Sequence, residues 1–290
     1  MKKSKIVVFS HDAGGAQQLS SYLHYKKIFK VYGICSGPAI KIFKEKKIRV
    51  SKKNITELIK LGNIFLTTTS WKSNLEKKAM EKLFQKNKKF VTFIDHWVHF
   101  RKRFNKKYLP NEIWSFDKIS YLKCKKIFKN VKIKLNKNFF TIYALDRIAK
   151  YKKNENYKFN YLYLTEPLSE VNLKFYKKKI KYNELDALNF FLEKCKHKKI
   201  KITIRVHPNE NERKYKLIKN KYKNLKINFD KNSNVYKSFA SNYNIVSYQS
   251  SLLYLAHKNR NRVLCSALNN KFKIHYLKNK NHYIYNYDRF

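Results

Sequence analysis

The sequence predicts an α/β protein of two Rossmann-like units facing across a cleft, and three observations predict it. Short apolar, β-branched runs alternate with stretches of helical period along the chain, the signature of a mostly parallel sheet. A polar stretch, KYKKNENYK over 150–158, interrupts the alternation near its middle. Polar clusters follow directly on the strand-like runs, at the edge where such sheets carry their functional loops. With 290 residues, 43% of them hydrophobic, the chain can bury a sizeable core as one large or two medium domains.

In order, the runs KIVVF, KVYGIC, NIFLTT, KFVTFID and EIWSF read as strands of a first unit over 1–145. A helix is expected over 16–29, another in WKSNLEKKAMEKLFQKN, and a linker over 146–158. The pattern restarts at FNYLYLTEPL in a second unit over 159–290. It continues with a helix around 182–195, the strand KIKITIRVHP, a helix over 210–222 and the strand KINF. The strand leading into YNIVSYQSS, the helix LLYLAHK and the strand RVLCSA follow, and after Ala267 no long closing helix is visible. Two such units in tandem leave a cleft at the carboxyl ends of their sheets, where ligands bind.

Net charge is +48, which would ordinarily point to nucleic acid or an anionic membrane. The lysines, however, are scattered over every expected surface, arginine is scarce, and Asn, Ile, Tyr and Phe abound, as an AT-rich coding sequence produces. No RNA-binding aromatic motif, zinc finger or helix-turn-helix signal is present, so no specific nucleic acid is expected. Peripheral contact with anionic lipid, weakened by salt, remains an expectation. The four cysteines stand far apart without CxxC spacing, which argues for reduced, mostly buried thiols in a cytosol. The apolar part of MKKSKIVVFSHDAGG is too short for a signal sequence, and no run approaches the length of a membrane span.

Four polar clusters are candidates for chemistry. In SHDAGGA, Asp12 is suited to take a proton from a hydroxyl, with His11 positioning or replacing it; the competing reading is a turn aspartate capping a helix. Gly14 and Gly15 read as a strand-to-helix turn that permits close approach of an acceptor or sugar to Asp12, which makes them, with His11, Asp95 and His96, candidate acceptor or cleft residues. Gly-x-Gly-x-x-Gly is absent, and no cofactor is expected. In IDHWVHFRKRF, Asp95, His96 and His99 have a spacing that can gather metal ligands, but no HExxH or second nearby carboxylate supports a metal site. Trp97, Phe100, Arg101 and Arg103 there suit an acceptor-side wall or a packed aromatic loop. Glu166 in TEP is either a cleft residue or a helix-start carboxylate. His207, ending a strand before Pro208, can donate to a phosphate oxygen or merely close the strand; Arg205 reads as an ion-pairing residue. Ser250 and Ser251 open a helix and can hold phosphate or act as its cap.

His207-Pro208 followed by Ser250-Ser251 resembles the HP and SS motifs of bacterial sialyltransferases and polysialyltransferases of the GT-B fold, and of teichoic-acid glycerophosphotransferases. The resemblance implies a GT-B glycosyltransferase without metal or cofactor. His207 would contact the donor phosphate, Ser250 and Ser251 would cradle it, and Asp12 would be the base. It further implies a nucleotide-sugar donor, CMP-linked in those sialyltransferases, and a glycan or lipid-linked acceptor. The sialyltransferase base usually lies in an acid pair followed by glycine, whereas this chain reads His11-Asp12-Ala13-Gly14. UDP-N-acetylglucosamine 2-epimerases share the architecture, so an epimerase or hydrolase is the alternative, and a non-catalytic basic lipid- or nucleic-acid-binding protein is a third.

Overall fold

Seven strands form the sheet of the first unit, Met1–Tyr143, and five that of the second, Ala144–Phe290. The computed structural model describes residues 4–70, 73–97, 99–152, 157–170, 173, 182–232, 234–267, 274, 276–277 and 282–284. The middle of the expected linker, 153–156, and the stretch 268–273 after Ala267 lie outside the described residues.

In the first unit β1 (Ile6–Ser10), β2 (Lys30–Cys35), β3 (Arg49–Ser51), β4 (Ile64–Thr67), β5 (Phe90–Phe93), β6 (Glu112–Ser115) and β7 (Lys132–Leu135) run parallel. Their order is β3-β2-β1-β4-β5-β6-β7. Central β1 is apolar because both its faces are covered: Val7, Val8 and Phe9 are fully buried. The five expected strands are all present. The two edge strands, β3 and β7, escape a sequence reading because RVS and KIKL are short, polar and mostly exposed.

The helices α1 (Ala13–Tyr25), α2 (Pro38–Glu45), α3 (Ile55–Leu61), α4 (Leu75–Gln85), α5 (Phe100–Arg103), α6 (Lys118–Ile127) and α7 (Phe139–Ala149) connect these strands and lead onward. Helix α1 starts three residues before the expected 16, so Gly14 and Gly15 lie in its first turn and not in a turn before it. It also ends earlier than 29, because Lys30 already belongs to β2. Helix α7 crosses the division at Tyr143/Ala144 and occupies the first part of the stretch expected as linker.

The second unit contains β8 (Asn160–Leu164), β9 (Lys201–Arg205), β10 (Lys226–Phe229), β11 (Asn244–Ser247) and β12 (Arg262–Cys265), parallel in the order β10-β9-β8-β11-β12. Its described helices are α8 (Glu184–Cys195), α9 (Arg213–Lys221), α10 (Val235–Ser241) and α11 (Leu252–Lys258). Helix α8 begins where it does because Asn183 and Asp186 form a capping box. Leu188, Phe191, Leu192 and Cys195 from α8 pack with Ile202, Ile204, Tyr215, Val246 and Leu264. All four cysteines are buried free thiols, pushed up to about 12 mainly by burial. Among the described residues no helix is long and apolar enough to cross a membrane.

Both units are therefore Rossmann-like, and both sheets reverse their winding beside their first strand. In the first the reversal lies between β1 and β4, in the second between β8 and β11. The crevice outside the carboxyl ends of such a strand pair is where doubly wound sheets bind ligands. The segments leaving those ends are His11 to Gly15 and Thr68 to Ser70, then Thr165 to Pro167 and Tyr248 to Ser251.

Candidate functional site

At the reversal of the first unit Asp12 takes the N-cap position of α1 with extended backbone, yet its side chain makes no capping hydrogen bond. Its carboxyl turns instead to Ser70, Asp95, Arg103 and His11, and the His11 Nε2 to Asp12 Oδ1 distance is 3.9 Å. Burial raises its pKa; a hydrogen bond with Ser70 opposes this, and the negative charge of Asp95 reinforces it. His11 Nδ1 lies 2.8 Å from Ser36 Oγ, which orients the ring.

Asp95, at the end of β5, accepts from Arg103 Nη1 at 2.8 Å and from Thr69 Oγ1 at 3.1 Å. This ion pair is almost wholly buried. It comes so close to α1 that a Cβ on Gly14 would stand 2.3 Å from Asp95 Oδ2, and one on Gly15 would stand 2.6 Å from Thr68 Cβ. The glycines thus admit Asp95 and Thr68 to the first turn of the helix. Arg103, considered above as an acceptor-side wall, is instead 4% exposed and committed to Asp95. Trp97 is likewise core, its Nε1 donating to Asp117 Oδ2 at 2.6 Å. His96 is partly buried and stacks edge-on against Trp97, while exposed His99 starts α5 in the left-handed region. Among the described residues no three His, Cys, Asp or Glu side chains gather as a metal-ligand set.

Sequence reasoning missed Glu76, in the first turn of α4. It is fully buried; its Oε1 accepts the His11 amide hydrogen at 2.8 Å and lies 3.1 Å from Thr68 Oγ1, while its Oε2 has no hydrogen-bond partner in another described residue. Burial lifts its pKa to about 7. Its local setting, NLEKKAMEKLF, reads as one more charged helix.

In the second unit Thr165 and Glu166 tie two loops to the end of β8. Thr165 Oγ1 accepts the His207 amide hydrogen at 2.8 Å and donates to Glu210. Glu166 Oε1 lies 2.8 Å from Ser247 Oγ and accepts the Gln249 amide hydrogen at 2.7 Å; the Ser250 amide also donates to this carboxyl. The structure therefore brings His207, Glu166 and Ser250 to one edge. His207 Nδ1 accepts from the Asn209 amide at 3.2 Å, which leaves Nε2 as the proton-bearing nitrogen of the neutral ring. Ser250 Oγ accepts from Leu252 N at 3.3 Å, and Ser251 occupies the N-cap position of α11 without a side-chain cap. Tyr276 Oη donates to the Ser250 carbonyl at 2.7 Å and closes the loop from behind. Arg205 points away into a structural pair with Asp230 at 2.6 Å.

No protein-family model and no curated protein matches this sequence. Solved structures do. The Staphylococcus aureus MnaA–UDP co-structure superimposes with a TM-score of 0.62 at 12% identity, over 91% of this chain and 79% of that one. A Listeria monocytogenes protein described as a UDP-N-acetylglucosamine 2-epimerase gives 0.60 at 10% identity, over 91% and 78%. Anabaena HepE in complex with UDP gives 0.52 at 10% identity, over 87% and 78%. At such identities the likeness is one of fold, and it is GT-B-like.

Proposed function

We propose that the chain is a GT-B glycosyltransferase that moves a sugar from a nucleotide-linked donor to a hydroxyl of a surface-glycan precursor. The observation that carries the reading is the complementary chemistry at the two sheet reversals. The second unit brings to one edge the His207 ring and the hydroxyls of Ser250 and Ser251, beside the Gln249 and Ser250 amides that Glu166 holds. The first presents Asp12, a desolvated acid left unused by its own helix cap. UDP bound to MnaA and HepE, which share the fold, supports a nucleotide ligand.

In this reading Asp12 accepts the proton of the acceptor hydroxyl, and its raised pKa makes it a better base than an exposed aspartate. The acceptor oxygen then bonds to the anomeric carbon as the bond from that carbon to the donor phosphate breaks. His207, Ser250 and Ser251 stabilise the charge gained by the departing phosphate. Glu76 holds the turn that carries Asp12, Asp95 helps keep the Asp12 pKa raised, and a membrane-bound acceptor would suit the chain's positive surface.

A thermal-shift screen of CMP-, UDP-, GDP- and CDP-linked sugars tests the donor class. Stabilisation by none of them would sink the proposal. The similarity in fold to MnaA and the Listeria protein favours one second reading, a nucleotide-sugar epimerase or hydrolase. Incubation with donor alone separates the two, since isomerised or hydrolysed sugar without acceptor selects the second.

A further inference from the structure

We propose that the Gln249 and Ser250 amides form a phosphate-oxygen site for which the Glu166 carboxylate and a substrate phosphate compete. This rests on the nucleotide-sugar reading above. A carboxyl oxygen already sits among these donors, at 2.7 Å from the Gln249 nitrogen and 2.8 Å from Ser247 Oγ. Successive loop amides that hold one anionic oxygen can hold another of the same charge. An ionised Glu166 therefore opposes phosphate twice, by occupying the amides and by repulsion.

The hydroxyl of Ser247 shows how the site can be released. Ser247 has one hydroxyl hydrogen and two acceptors in reach, the Leu164 carbonyl at 2.7 Å and Glu166 Oε1 at 2.8 Å. A proton on Glu166 resolves the conflict: the carboxylic acid donates to Ser247 Oγ, Ser247 donates to Leu164, and the neutral acid, which holds the two amides more weakly and does not repel a phosphate, can be displaced from them by a phosphate oxygen. Burial pushes Glu166 up to about 7, with the Gln249, Ser247 and Ser250 hydrogen bonds opposing and the Glu210 charge adding, so the proton is available near neutrality.

The other groups that face Glu166 are Tyr163 on β8, Glu210 after β9, Tyr248 in the loop, Cys265 on β12 and Tyr276. Tyr248 and Cys265 stand at about 12, and Tyr163 and Tyr276 lie well above the usual phenol range, so none of the four changes charge near neutrality. Glu210 is held by Lys214 and Tyr215. His207, tied to the neighbouring Thr165, is an imidazole and needs its own control.

Calorimetric titration with UDP-glucose and with a CMP-linked sialic acid, whose phosphodiester charges stay constant between mildly acidic and mildly basic pH, tests the proposal. Wild type should bind about tenfold more weakly at about pH 8 than at about pH 6, as the competent fraction falls. It should also take up close to one proton per ligand at the higher pH, read from buffers of different ionisation enthalpy. Glu166→Gln should bind with a flat pH profile and no uptake, whereas His207→Gln should bind less tightly but keep both. Binding by wild type without proton uptake, or uptake that survives in Glu166→Gln, would overturn the competition and leave the nucleotide-sugar reading standing. Failure of both probes to bind wild type at any pH would overturn the competition, and failure of the GDP- and CDP-linked sugars as well would overturn the nucleotide-sugar reading with it. If Glu166→Gln does not fold, His207→Gln decides the matter: uptake that persists in it supports the competition, and uptake that is lost with the ring overturns it.

Discussion

The backbone amide of His11 donates to Glu76 Oε1 at 2.8 Å, so a side chain from the start of α4 holds the turn that presents Asp12. Its other oxygen is buried without a hydrogen-bond partner in another described residue. Burial raises the Glu76 pKa from 4.5 to about 7, which means the folded chain keeps a proton that the unfolded chain has already released. Stability linked to this group is full below about pH 4.5, falls as pH rises towards about 7, and is constant above, a loss on the order of 3 kcal/mol. In urea unfolding across that window, Glu76→Gln should lack this decline. Parallel pH profiles for wild type and variant would show that Glu76 is not the titrating group.

Gly14 and Gly15 respond to different neighbours, and their alanine variants should separate them. A methyl group at 15 meets Thr68 Cβ, next to the backbone, and should cost about 1–3 kcal/mol whatever stands at 95. A methyl group at 14 meets the Asp95 carboxyl and must push it off Arg103. Gly14→Ala combined with Asp95→Ala should therefore cost clearly less than the sum of the two, while Gly15→Ala with Asp95→Ala should add. Equal additivity of both pairs in urea melts would contradict this assignment.

How far the molecule was legible depended on whether a residue's partners were local. Glu166, His207 and Ser250 follow directly on β8, β9 and β11, so a strand reading places them at one sheet edge. Gly14 and Gly15 were legible as a feature but not in their reason, because Asp95 and Thr68 reach them from other strands. Glu76 was invisible: its burial comes from packing of α4 against the sheet, and no local pattern marks it among the charges of that helix. The outer strands β3 and β7 carry too few apolar residues to stand out. That Asp12 leaves its cap unmade is likewise a matter of geometry that residue type does not reveal.

The Asp95–Arg103 pair, whose side chains are 7% and 5% exposed, should be worth most when only one partner is removed. Arg103 Nε is already a buried nitrogen without a hydrogen-bond partner among the described residues, so Asp95→Asn removes the paired carboxylate and leaves the guanidinium only Thr69 and the charge of Asp12. Asp95→Asn and Arg103→Met should each cost about 3–5 kcal/mol, and the double variant should recover much of that loss. A double-mutant cycle by chemical unfolding measures the coupling, and a coupling near zero would mean that the pair does not organise this edge.

Arg205 and His207 stand two residues apart at the end of β9 and should fail in opposite ways. Arg205 Nη1 meets Asp230 at 2.6 Å, and the Asp230 side chain is only 1% exposed. Burial alone would raise the Asp230 pKa, but Ser238, the Asn232 amide and Arg205 outweigh it and hold the carboxyl below its usual 3.8. Stability from that carboxylate is present above about pH 4 and is lost as pH falls through the depressed value. Arg205→Met strands the carboxylate and should lower stability at neutral pH by about 3–5 kcal/mol while the molecules that remain folded bind nucleotide sugar normally. His207 spends its amide on Thr165 and its Nδ1 on the Asn209 amide, so truncating the ring removes the Nε2 donor and leaves the backbone bond in place. His207→Ala should melt within a few degrees of wild type and bind the donor at least tenfold more weakly, on the order of a charge-assisted hydrogen bond. Melting curves alongside calorimetric titration distinguish the two, and a His207→Ala chain with wild-type affinity would remove this histidine from the phosphate site.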